Sequence, residues 1–280
     1  MLLVDFSQIV HAITNIHISL TGKAPQMDDL RSLSISNLDT IINGTKTGDT
    51  EIILCYDGNN YWRKKIFPHY KANRKTQRDK INIDWKAHYA NINSVITEFK
   101  NNLPYRSIEV EEAEADDVIS TLAYLTTDQV TVISTDKDFL QLQLFLHNVK
   151  QYSPLRKEYI TLETQNYDLF EHIMRGDASD GIPNILSDDD TYITEKRAKR
   201  LTKKLFENAK QYGIDNPQQF CNEEELKRFK RNQILIDHRM LEKVRPDIHQ
   251  KIIDEYNQSE KPSGKLFKYL QAHKLFNLYL

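Results

Sequence analysis

Three short apolar runs of this sequence end in aspartates. Runs of this kind predict buried β-strands, and the carboxyl ends of parallel strands form the edge at which open α/β sheets bind ligands. Carboxylates that meet there raise one another's pKa unless a cation neutralises them, and hard oxygen ligands suit Mg²⁺ or Mn²⁺. We therefore predict a divalent-metal site. The runs Met1–Val4, Glu51–Tyr56 and Val130–Ile133 are followed by Asp5, Asp57, Asp136 and Asp138.

Two further acidic segments could add ligands to such a site. Glu109–Asp117 holds six carboxylates in nine residues, and an apolar pattern typical of a helix follows at once. One or two acids would be enough to cap that helix and interact with its dipole. Ile173–Ile185 is a loop dense in Gly, Asp and Pro. The candidate ligands in the two segments are Glu114, Asp116, Asp117, Asp177 and Asp180.

A basic segment, residues 61–80, follows the second of these runs closely. It reads YWRKKIFPHYKANRKTQRDK and holds eight Lys or Arg and five aromatic or imidazole rings. A charge run is usually a solvated helical face, but basic groups neutralise phosphates and aromatic rings stack on unpaired bases. The interleaving therefore predicts binding of single-stranded nucleic acid. The residues proposed for this contact are Tyr61, Arg63, Lys64, Lys75 and Arg78.

Helical and strand patterns alternate through the first part of the 280-residue chain. This alternation predicts an α/β fold with a central, mostly parallel sheet flanked by helices. Strand signals end near Glu163, so we predict one domain over residues 1–163 and a helical one over residues 164–280. The clearest segments are helices over Phe6–Leu20, Met27–Asn43 and Trp85–Asn102. A hairpin of Val149–Ser153 with Glu158–Leu162 is predicted at the margin of the sheet.

Composition and cysteine usage indicate an ordinary intracellular protein. The net charge is −2, and Cys55 and Cys221 are far apart in the chain, which predicts no disulfide framework. Cys55 lies in a strand pattern and is expected in the core. No apolar run approaches the ~20 residues of a membrane span, and the N-terminus lacks the features of a signal peptide. We expect a soluble cytoplasmic protein that does not bind a membrane.

Together the motifs resemble those of the 5′-nuclease or flap endonuclease family, which includes the 5′-nuclease domain of bacterial DNA polymerase I. They follow the order of that family, and the resemblance covers roughly Met1–Lys204. The compact length and the Trp-Arg pair at Trp62 are most similar to the phage ribonuclease H branch. The motif positions are Asp5, Asp57, Tyr70–Arg74, Glu114–Asp117, Ser134–Asp138 and Gly176–Asp180.

The resemblance implies a Mg²⁺-dependent 5′→3′ exonuclease and structure-specific flap endonuclease that removes RNA primers or displaced 5′ ends during DNA replication. The nine acids would form a pocket for two Mg²⁺ ions, for which Mn²⁺ could substitute. Residues 61–80 would form a helical arch, and residues 164–280 would grip duplex DNA through a helix–hairpin–helix. The implied substrates are DNA with a 5′ flap or an RNA–DNA hybrid, and the implied protein partner is a single-strand binding protein or sliding clamp. The protein would act as a monomer in the host-cell cytoplasm.

Phosphodiester hydrolysis also needs a positive side chain near the reacting phosphate. Two cations ~4 Å apart supply an activated water and a stabilised leaving oxygen, and a nearby Lys or Arg stabilises charge on the scissile phosphate. We assign this last role to Lys71, with Arg74 as the alternate. No Ser/His/Asp or Cys/His nucleophile pattern stands out. The residues His11, His69, His88 and His172 have no ligand spacing and are expected at surface or core positions.

The loop after Asp180 departs from the family pattern. The family often reads Asp-Asn-Ile-Pro-Gly and continues through Gly-Ile-Gly, whereas this chain reads Asp-Gly-Ile-Pro-Asn and runs into Asp188–Asp190, which would repel a phosphate. A basic helix predicted over Thr194–Phe206 would bind the duplex instead, through side chains on or near one face. Its candidate residues are Lys196, Arg197, Lys199, Arg200 and Lys203.

Two other functions fit part of the sequence. A single-strand ribonuclease of the related PIN-like class would also use clustered acids, but such proteins are usually much shorter and lack the basic aromatic segment and the helical second half. A non-catalytic DNA-binding module would tolerate loss of acids, whereas every motif acid is present here. The enzyme interpretation is therefore favoured over both.

Overall fold

The computed structural model describes residues 1–48 and 50–276, without the side chain of Gln77. Among these residues one sheet contains the strands β1 (Leu2–Asp5), β2 (Ile52–Cys55), β3 (Arg106–Ile108), β4 (Val130–Ile133), β5 (Val149–Ser153) and β6 (Glu158–Ile160). The order across the sheet is β3–β2–β1–β4–β5–β6. Strands β1 to β5 are parallel, and β6 pairs with β5 in the antiparallel direction. The first strand therefore lies in the middle of the sheet.

The sheet separates two hydrophobic cores. Along β1, Leu2 and Val4 pack into one core and Leu3 packs into the other, because successive side chains of a strand point to opposite faces. The side chains of β2 alternate in the same way. Strands buried on both faces read as continuous apolar runs, which explains why the sequence revealed them.

Helices cover both faces of the sheet and form the region after it. The described helices are α1 (Phe6–Thr21), α2 (Met27–Thr45), α3 (Arg63–Ile66), α4 (Asn73–Arg78), α5 (Trp85–Asn102), α6 (Ala115–Leu125), α7 (Leu140–Phe145), α8 (Leu162–Gln165), α9 (Leu169–Arg175), α10 (Lys203–Lys210), α11 (Glu223–Ile236), α12 (Met240–Val244), α13 (Pro246–Gln258) and α14 (Leu266–Ala272). Helices α1, α2 and α5 cover one face, and α6 and α13 cover the other. None of the described helices is long and apolar enough to cross a lipid bilayer.

Most predicted elements are confirmed to within two residues. Helix α5 and strand β5 have the predicted limits. Strand β6 is shorter than predicted because Leu162 already begins α8, which Thr161 caps. Cys55 is fully buried in the core, as expected. The fold class, a mostly parallel sheet flanked by helices with a helical C-terminal region, is confirmed.

The basic helix predicted over Thr194–Phe206 is wrong. The segment is irregular until α10 begins at its end. Side chains of the preceding loop hold its backbone instead: the Lys199 N–H donates to Ser187 Oγ at 2.8 Å, and Asn184 Nδ2 donates to the Lys199 carbonyl at 2.8 Å. Such side-chain bonds to the backbone compete with helix formation.

The C-terminal helices pack against the first part of the chain in three places. A third core lies around α9 and α11 and includes Phe67 and Tyr70 from the basic segment. Helix α13 packs through Ile252 against α6, and α14 adds Tyr269 to the core on the opposite face. The domain boundary near Glu163 stays a prediction, and the end of the predicted second domain, 277–280, lies outside the described residues.

Candidate active site

The carboxyl ends of β1, β2 and β4 form the floor of a cleft of about 740 Å³. Because β1 lies between β2 and β4, the residues that follow these strands converge at one edge of the sheet. The start of α6 and the loop after α9 add further acids. Seven of the nine acids proposed as metal ligands therefore share one cleft. They are Asp5, Asp57, Asp116, Asp136, Asp138, Asp177 and Asp180.

Asp5 is a buried acid of the cleft floor, with 4% of its surface exposed. Its carboxylate accepts hydrogen bonds from the Gln8 backbone N–H at 3.1 Å and from the Ser134 hydroxyl at 3.0 Å. Burial, followed by the charge of Asp57, raises the pKa of Asp5 to about 7. A carboxyl group held in such surroundings is a candidate for a functional role.

Other cleft acids are destabilised in their charged form for the same reason. Removal from water, followed by the charges of Glu114 and Asp136, raises the pKa of Asp116 well above its ordinary value. Removal from water and the charge of Asp136 have this effect on Asp138 as well. Clustered carboxylates of this kind ionise when a cation joins them, and their oxygen atoms are the ligands that Mg²⁺ and Mn²⁺ prefer. The residues present therefore fit a divalent-metal centre.

The Glu114 side chain points to Arg63 and Lys71 beside the cleft and is not part of the cleft floor. It is 1% exposed, accepts a hydrogen bond from Tyr70 Oη at 2.9 Å and from Arg63 Nη1 at 2.8 Å, and pairs with Lys71 Nζ. Burial opposes its ionisation, but Lys71 and Arg63 outweigh this effect and lower the pKa of Glu114 to about 2. In this structure Glu114 therefore holds Lys71 beside the cleft, and its predicted role as a metal ligand stays a prediction.

Asp117 and Arg63 form a buried ion pair. Arg63 Nη2 and Nη1 donate to the two oxygens of Asp117 at 2.8 and 2.9 Å, and Trp62 Nε1 donates to it at 3.0 Å. Only 1% and 3% of the Asp117 and Arg63 side chains are exposed. Each therefore satisfies the other inside the protein, so Arg63 is not exposed to DNA in this structure, and metal binding by Asp117 stays a prediction.

The basic segment forms one side of the cleft, but only some of its side chains face the cleft. Trp62, Phe67 and Tyr70 are at most 3% exposed and belong to the cores, so these rings cannot stack on bases. Lys75 is exposed and lies outside the cleft lining. The side chains of this segment that line the cleft are Tyr61, Lys64, Lys71, Arg74 and Arg78.

Lys71 and Arg74 stand directly beside the acids. Lys71 Nζ pairs with Glu114 and lies 3.7 Å from Asp180, while Arg74 Nη2 lies 2.6 Å from the same carboxylate. The backbone of Lys71 has a φ of +56°, and its N–H donates to the Asp180 carbonyl at 2.7 Å. A non-glycine residue in this region is uncommon and often marks a functional site.

Gly176 shapes the loop that carries Asp177 and Asp180. Its φ is +67°, and a Cβ atom there would lie 2.3 Å from the carbonyl oxygen of Ile182, so only glycine fits. Asp177 accepts hydrogen bonds from the backbone N–H and the hydroxyl of Ser179, both at 2.7 Å. The tight loop therefore holds both acids at the edge of the cleft.

His172 is a site residue that the sequence interpretation missed. Its Nδ1 lies 3.4 Å from Asp138 and its Nε2 lies 3.7 Å from Asp177. The imidazole therefore lies between two cleft acids, whereas the sequence interpretation expected it at an ordinary surface or core position. Burial opposes protonation, but Asp177 and Asp138 outweigh it and raise the pKa of His172. The only signal in the sequence was its place one helix turn before the Gly-Asp motif.

An aromatic wall on α5 and α1 lines the cleft as well. Trp85 lies 5.9 Å from His88 and 6.1 Å from Tyr89 between ring centroids, and His11 lies 6.1 Å from Tyr89. Burial, followed by the charge of Arg74, lowers the pKa of His11 to about 4. The wall is therefore uncharged at neutral pH and suits the flat faces of unpaired bases.

A second basic surface, the α9–α10 pocket, lies outside the cleft. This cavity of about 500 Å³ is lined by Arg175, Asn184, Lys199, Arg200, Leu201 and Lys203. The nearby acids at 188–190 pair with Arg228, Arg231 and Lys196, which neutralises the repulsion expected from the sequence. Among the described residues, Lys199 and Arg200 have no carboxylate within 4 Å, so their charges are available to a phosphate.

The raised carboxyl pKa values predict that the metal-free protein loses stability as pH rises. Asp5 is protonated in the folded state up to about pH 7, whereas its ordinary value is 3.8, so the free energy of unfolding should fall between these values. Asp5 alone would contribute a loss on the order of 4 kcal/mol. Urea unfolding across this pH range measures the loss. Mg²⁺ should restore stability most above pH 7, because it binds the ionised acids.

The Asp5→Asn variant is the matched control for this experiment. It should show a flatter pH dependence, since asparagine has no proton to lose in this range. A metal-free wild-type protein whose stability rises from pH 4 to pH 7 would contradict the assignment.

The fold and the acidic cleft define a class of enzyme, and the family models name it. The chain belongs to the 5′–3′ exonuclease family. The model described as 5′-3′ exonuclease, N-terminal resolvase-like domain matches residues 5–171, and the model described as T4 RNase H, C terminal matches residues 163–279. The chain is therefore a nuclease with 5′–3′ exonuclease and flap endonuclease relatives.

Individual relatives agree with this class. Ribonuclease H of Enterobacteria phage T4 is 29% identical over 279 residues, 95% of this chain and 90% of that protein. Flap endonuclease Xni of Shewanella sp. (strain MR-4) is 30% identical over 149 residues, 49% of this chain and 53% of that protein. A solved flap endonuclease of bacteriophage T5, in a pseudo-enzyme–product complex with DNA and metal ions, is 17% identical and shares the fold with a TM-score of 0.62, over 92% of this chain and 99% of that one.

Proposed function

We propose that this nuclease is a Mg²⁺-dependent 5′→3′ exonuclease and flap endonuclease that removes RNA primers or displaced 5′ ends during DNA replication. The observation that carries the proposal is the convergence of seven carboxylates from five segments in one cleft, beside Lys71 and Arg74. A silent binding module has no use for buried acids that cost stability. The match of the C-terminal region to a ribonuclease H family model disfavours a short PIN-like ribonuclease.

The cleft acids divide into two groups that could each hold one Mg²⁺ ion, with Mn²⁺ as a substitute. When bound, two such ions supply an activated water and a neutralised leaving oxygen. The surrounding residues fix the ligands: Ser134 orients Asp5, the Ala115 N–H donates to Asp57 at 2.9 Å, and Ser179 orients Asp177. We assign Asp5, Asp57, Asp116 and Asp136 to one group and Asp138, Asp177 and Asp180 to the other.

Lys71 is proposed to stabilise charge on the scissile phosphate, with Arg74 beside it. Both cations already contact cleft acids, so a phosphate that enters replaces a carboxylate partner without new desolvation of the cation. Tyr61, Lys64 and Arg78 would guide the 5′ strand. The uncharged wall at Trp85 and Tyr89 would receive its unpaired bases.

Neutralising Lys71 should therefore lower turnover much more than affinity. We expect Lys71→Ala to reduce the single-turnover rate on a 5′-flap substrate by about a hundredfold, with a smaller loss for Arg74→Ala. Lys64→Ala should weaken binding and its salt dependence, because a strand contact acts in the ground state as well. Single-turnover rates and Kd values, measured over a range of salt concentrations, separate the two effects.

The matched control is Lys86→Ala, which removes an exposed lysine of α5 outside the cleft lining. If Lys71→Ala and Lys64→Ala changed rate and affinity in the same proportion, the segment would be a general electrostatic surface. The assignment of Lys71 to the reacting phosphate would then fail.

The α9–α10 pocket is proposed to bind the phosphates of the duplex. Lys199 and Arg200 precede α10 instead of lying on the predicted helix, yet they line one cavity together with Lys203. Arg197 is exposed in the same segment. Lys196 contributes less, because it already pairs with Asp190 at 2.9 Å. Lysine and arginine side chains that bind phosphates release counterions, so this contact should weaken steeply as salt rises.

Reversing Lys199 and Arg200 to Glu should sharply lower duplex affinity and reduce the salt slope by about two. Cleavage of a short single strand should be almost unchanged, because the pocket lies outside the cleft. Anisotropy titrations against duplex and single-stranded oligonucleotides measure both. The matched control reverses Lys243 and Lys251, two exposed lysines near α13. Equal loss on both substrates would assign this pocket to another role.

The remaining parts of the proposal concern the substrate and the surroundings of the enzyme. We expect a monomer in the host-cell cytoplasm, with residues 164–280 acting in DNA binding and a single-strand binding protein or sliding clamp as partner. A 5′-labelled flap, a nicked duplex and an RNA–DNA hybrid, cleaved side by side, rank primer removal against flap removal. Cleavage of internal single-stranded RNA alone would favour the PIN-like alternative.

A further inference from the structure

At one edge of the acidic cleft an imidazole lies between two carboxylates. One ligand atom each of Asp138, His172 and Asp177 lies within 4.8 Å of the others, and all three residues are partly buried. The other protein ligands proposed for the cleft offer only oxygen. This edge could therefore present a mixed nitrogen and oxygen site to an ion.

The distances at this edge suit ligands of one ion better than they suit hydrogen bonds. His172 Nδ1 lies 3.4 Å from Asp138, and Nε2 lies 3.7 Å from Asp177. These separations exceed the roughly 2.7–3.2 Å of N–H···O hydrogen bonds. Two ligands that each lie about 2.1 Å from the same ion are about 3–4 Å apart. The 3.7 Å between Nε2 and Asp177 is therefore the spacing of two ligands of one ion, whereas the 3.4 Å approach of Asp138 is to the other ring nitrogen. Asp138 joins the group because one ligand atom of each of the three residues lies within 4.8 Å of the others.

The neighbours of His172 hold its ring in this position. The Tyr167 hydroxyl lies 3.2 Å from Nδ1, and the two rings meet edge to face at 5.9 Å. A histidine that binds a metal usually has such a partner on its second nitrogen. Nε2, on the side of Asp177, is then the nitrogen available to an ion. Asp177 is itself fixed by two hydrogen bonds from Ser179.

We propose that His172 is a metal ligand and that the site it completes with Asp138 and Asp177 prefers a divalent transition metal, such as Mn²⁺ or Co²⁺, over Mg²⁺. Imidazole suits transition metals, whereas carboxylate and water ligands suit Mg²⁺, and affinity at a nitrogen-containing site rises from Mn²⁺ to Co²⁺. The inference rests on the proposed function in one respect, the assignment of Asp138 and Asp177 to a metal group. It adds that one of the two ions is chosen by an imidazole.

The test is a comparison of metal binding by the full chain and its variants, read by spectroscopy and calorimetry. Co²⁺ serves as the probe because its visible absorption reports nitrogen ligation, and Mg²⁺ serves as the competitor without nitrogen preference. Titrations are run well above the ordinary imidazole pKa, so that protons do not compete. The variants are His172→Asn and His172→Gln, and circular dichroism checks that both are folded. The matched control is His147→Asn, an exposed histidine in the turn before β5, at the opposite end of the sheet.

The expected result is a loss of about tenfold or more in Co²⁺ affinity at one site in both His172 variants. The absorption band of that site should change, while Mg²⁺ affinity stays close to the wild-type value and His147→Asn behaves as wild type. Unchanged Co²⁺ binding would overturn the inference. Equal weakening of Co²⁺ and Mg²⁺ would overturn it as well, because His172 would then only position the acids.

Failure of this inference is distinguishable from failure of the proposed function. If the wild-type protein cleaves flaps with Mg²⁺ but Co²⁺ binding does not depend on His172, only the assignment of His172 as a metal ligand fails. If the wild-type protein binds no divalent ion at all, both this inference and the proposed function fail.

Discussion

Replacing Asp136 with asparagine is expected to reduce phosphodiester cleavage by about a hundredfold or more, with duplex affinity close to that of the wild type. Asp136 faces the cleft at the carboxyl end of β4, where its charge acts on Asp116 and Asp138. Asparagine has the same shape but lacks the charge that holds a divalent cation. Binding should not suffer, because an acid that repels the phosphate is removed.

Single-turnover cleavage of a 5′-labelled flap and anisotropy titration of the same substrate measure the two quantities separately. Asp57→Asn should behave in the same way, because Asp57 belongs to the same group of ligands. The matched control is Asp128→Asn, which removes an exposed acid at the amino end of β4. Turnover near the wild-type rate in Asp136→Asn would contradict the metal assignment.

Replacing Arg63 with methionine is expected to lower the free energy of unfolding by about 3–5 kcal/mol. The side chain is 3% exposed and neutralises both Asp117 and Glu114, so its removal leaves the buried Asp117 carboxylate without its cation, while Glu114 keeps Lys71. The large effect comes from the uncompensated charge of Asp117 and not from the net strength of the ion pair. Urea unfolding of the variant in the absence of metal measures it.

Two further variants separate this effect from a general loss of positive charge. Lys64→Met removes the next, exposed cation in the sequence and should change stability by less than about 0.5 kcal/mol. Adding Asp117→Leu to Arg63→Met should recover part of the loss, since the unpaired charge is removed. A loss below about 1 kcal/mol in Arg63→Met would show that water reaches the ion pair.

The sequence was sufficient for the floor of the cleft because strand ends are local features. A buried parallel strand is a continuous apolar run, and an aspartate directly after such a run must lie at the carboxyl edge of the sheet. Asp5, Asp57 and Asp136 converge for this reason alone. The remaining cleft acids followed from their motifs and from the resemblance to a known family.

The direction of side chains in short or irregular segments could not be predicted in this way. Arg63 and Lys64 are neighbours of the same charge, yet one is buried under Asp117 and the other lines the cleft. Helix α3 is a single turn, too short for a periodic pattern to reveal its buried side. His172 escaped for a related reason, because its proximity to Asp138 arises from packing between distant segments and not from spacing along the chain.

The predicted basic helix failed because long-range side-chain bonds outweighed local propensity. Lysine, alanine and leucine favour a helix, and the apolar stripe around Leu201 and Leu205 had the right period. Ser187 and Asn184 bind the backbone at Lys199 instead, and these contacts depend on the fold of the preceding loop. Three of the predicted cations, Lys199, Arg200 and Lys203, nevertheless line one pocket, and their contact with DNA stays a prediction.

The most direct test of the central claim is cleavage of a flap substrate labelled at both the 5′ end and the 3′ end, with Mg²⁺ or with EDTA. If the acidic cleft is a metal-dependent 5′-nuclease site, Mg²⁺ should release short products that carry the 5′ label. The fragment that carries the 3′ label should shorten only by loss of nucleotides from its 5′ end, and EDTA should stop the reaction. Cleavage that persists in EDTA, or degradation that begins at the 3′ end, would contradict the account.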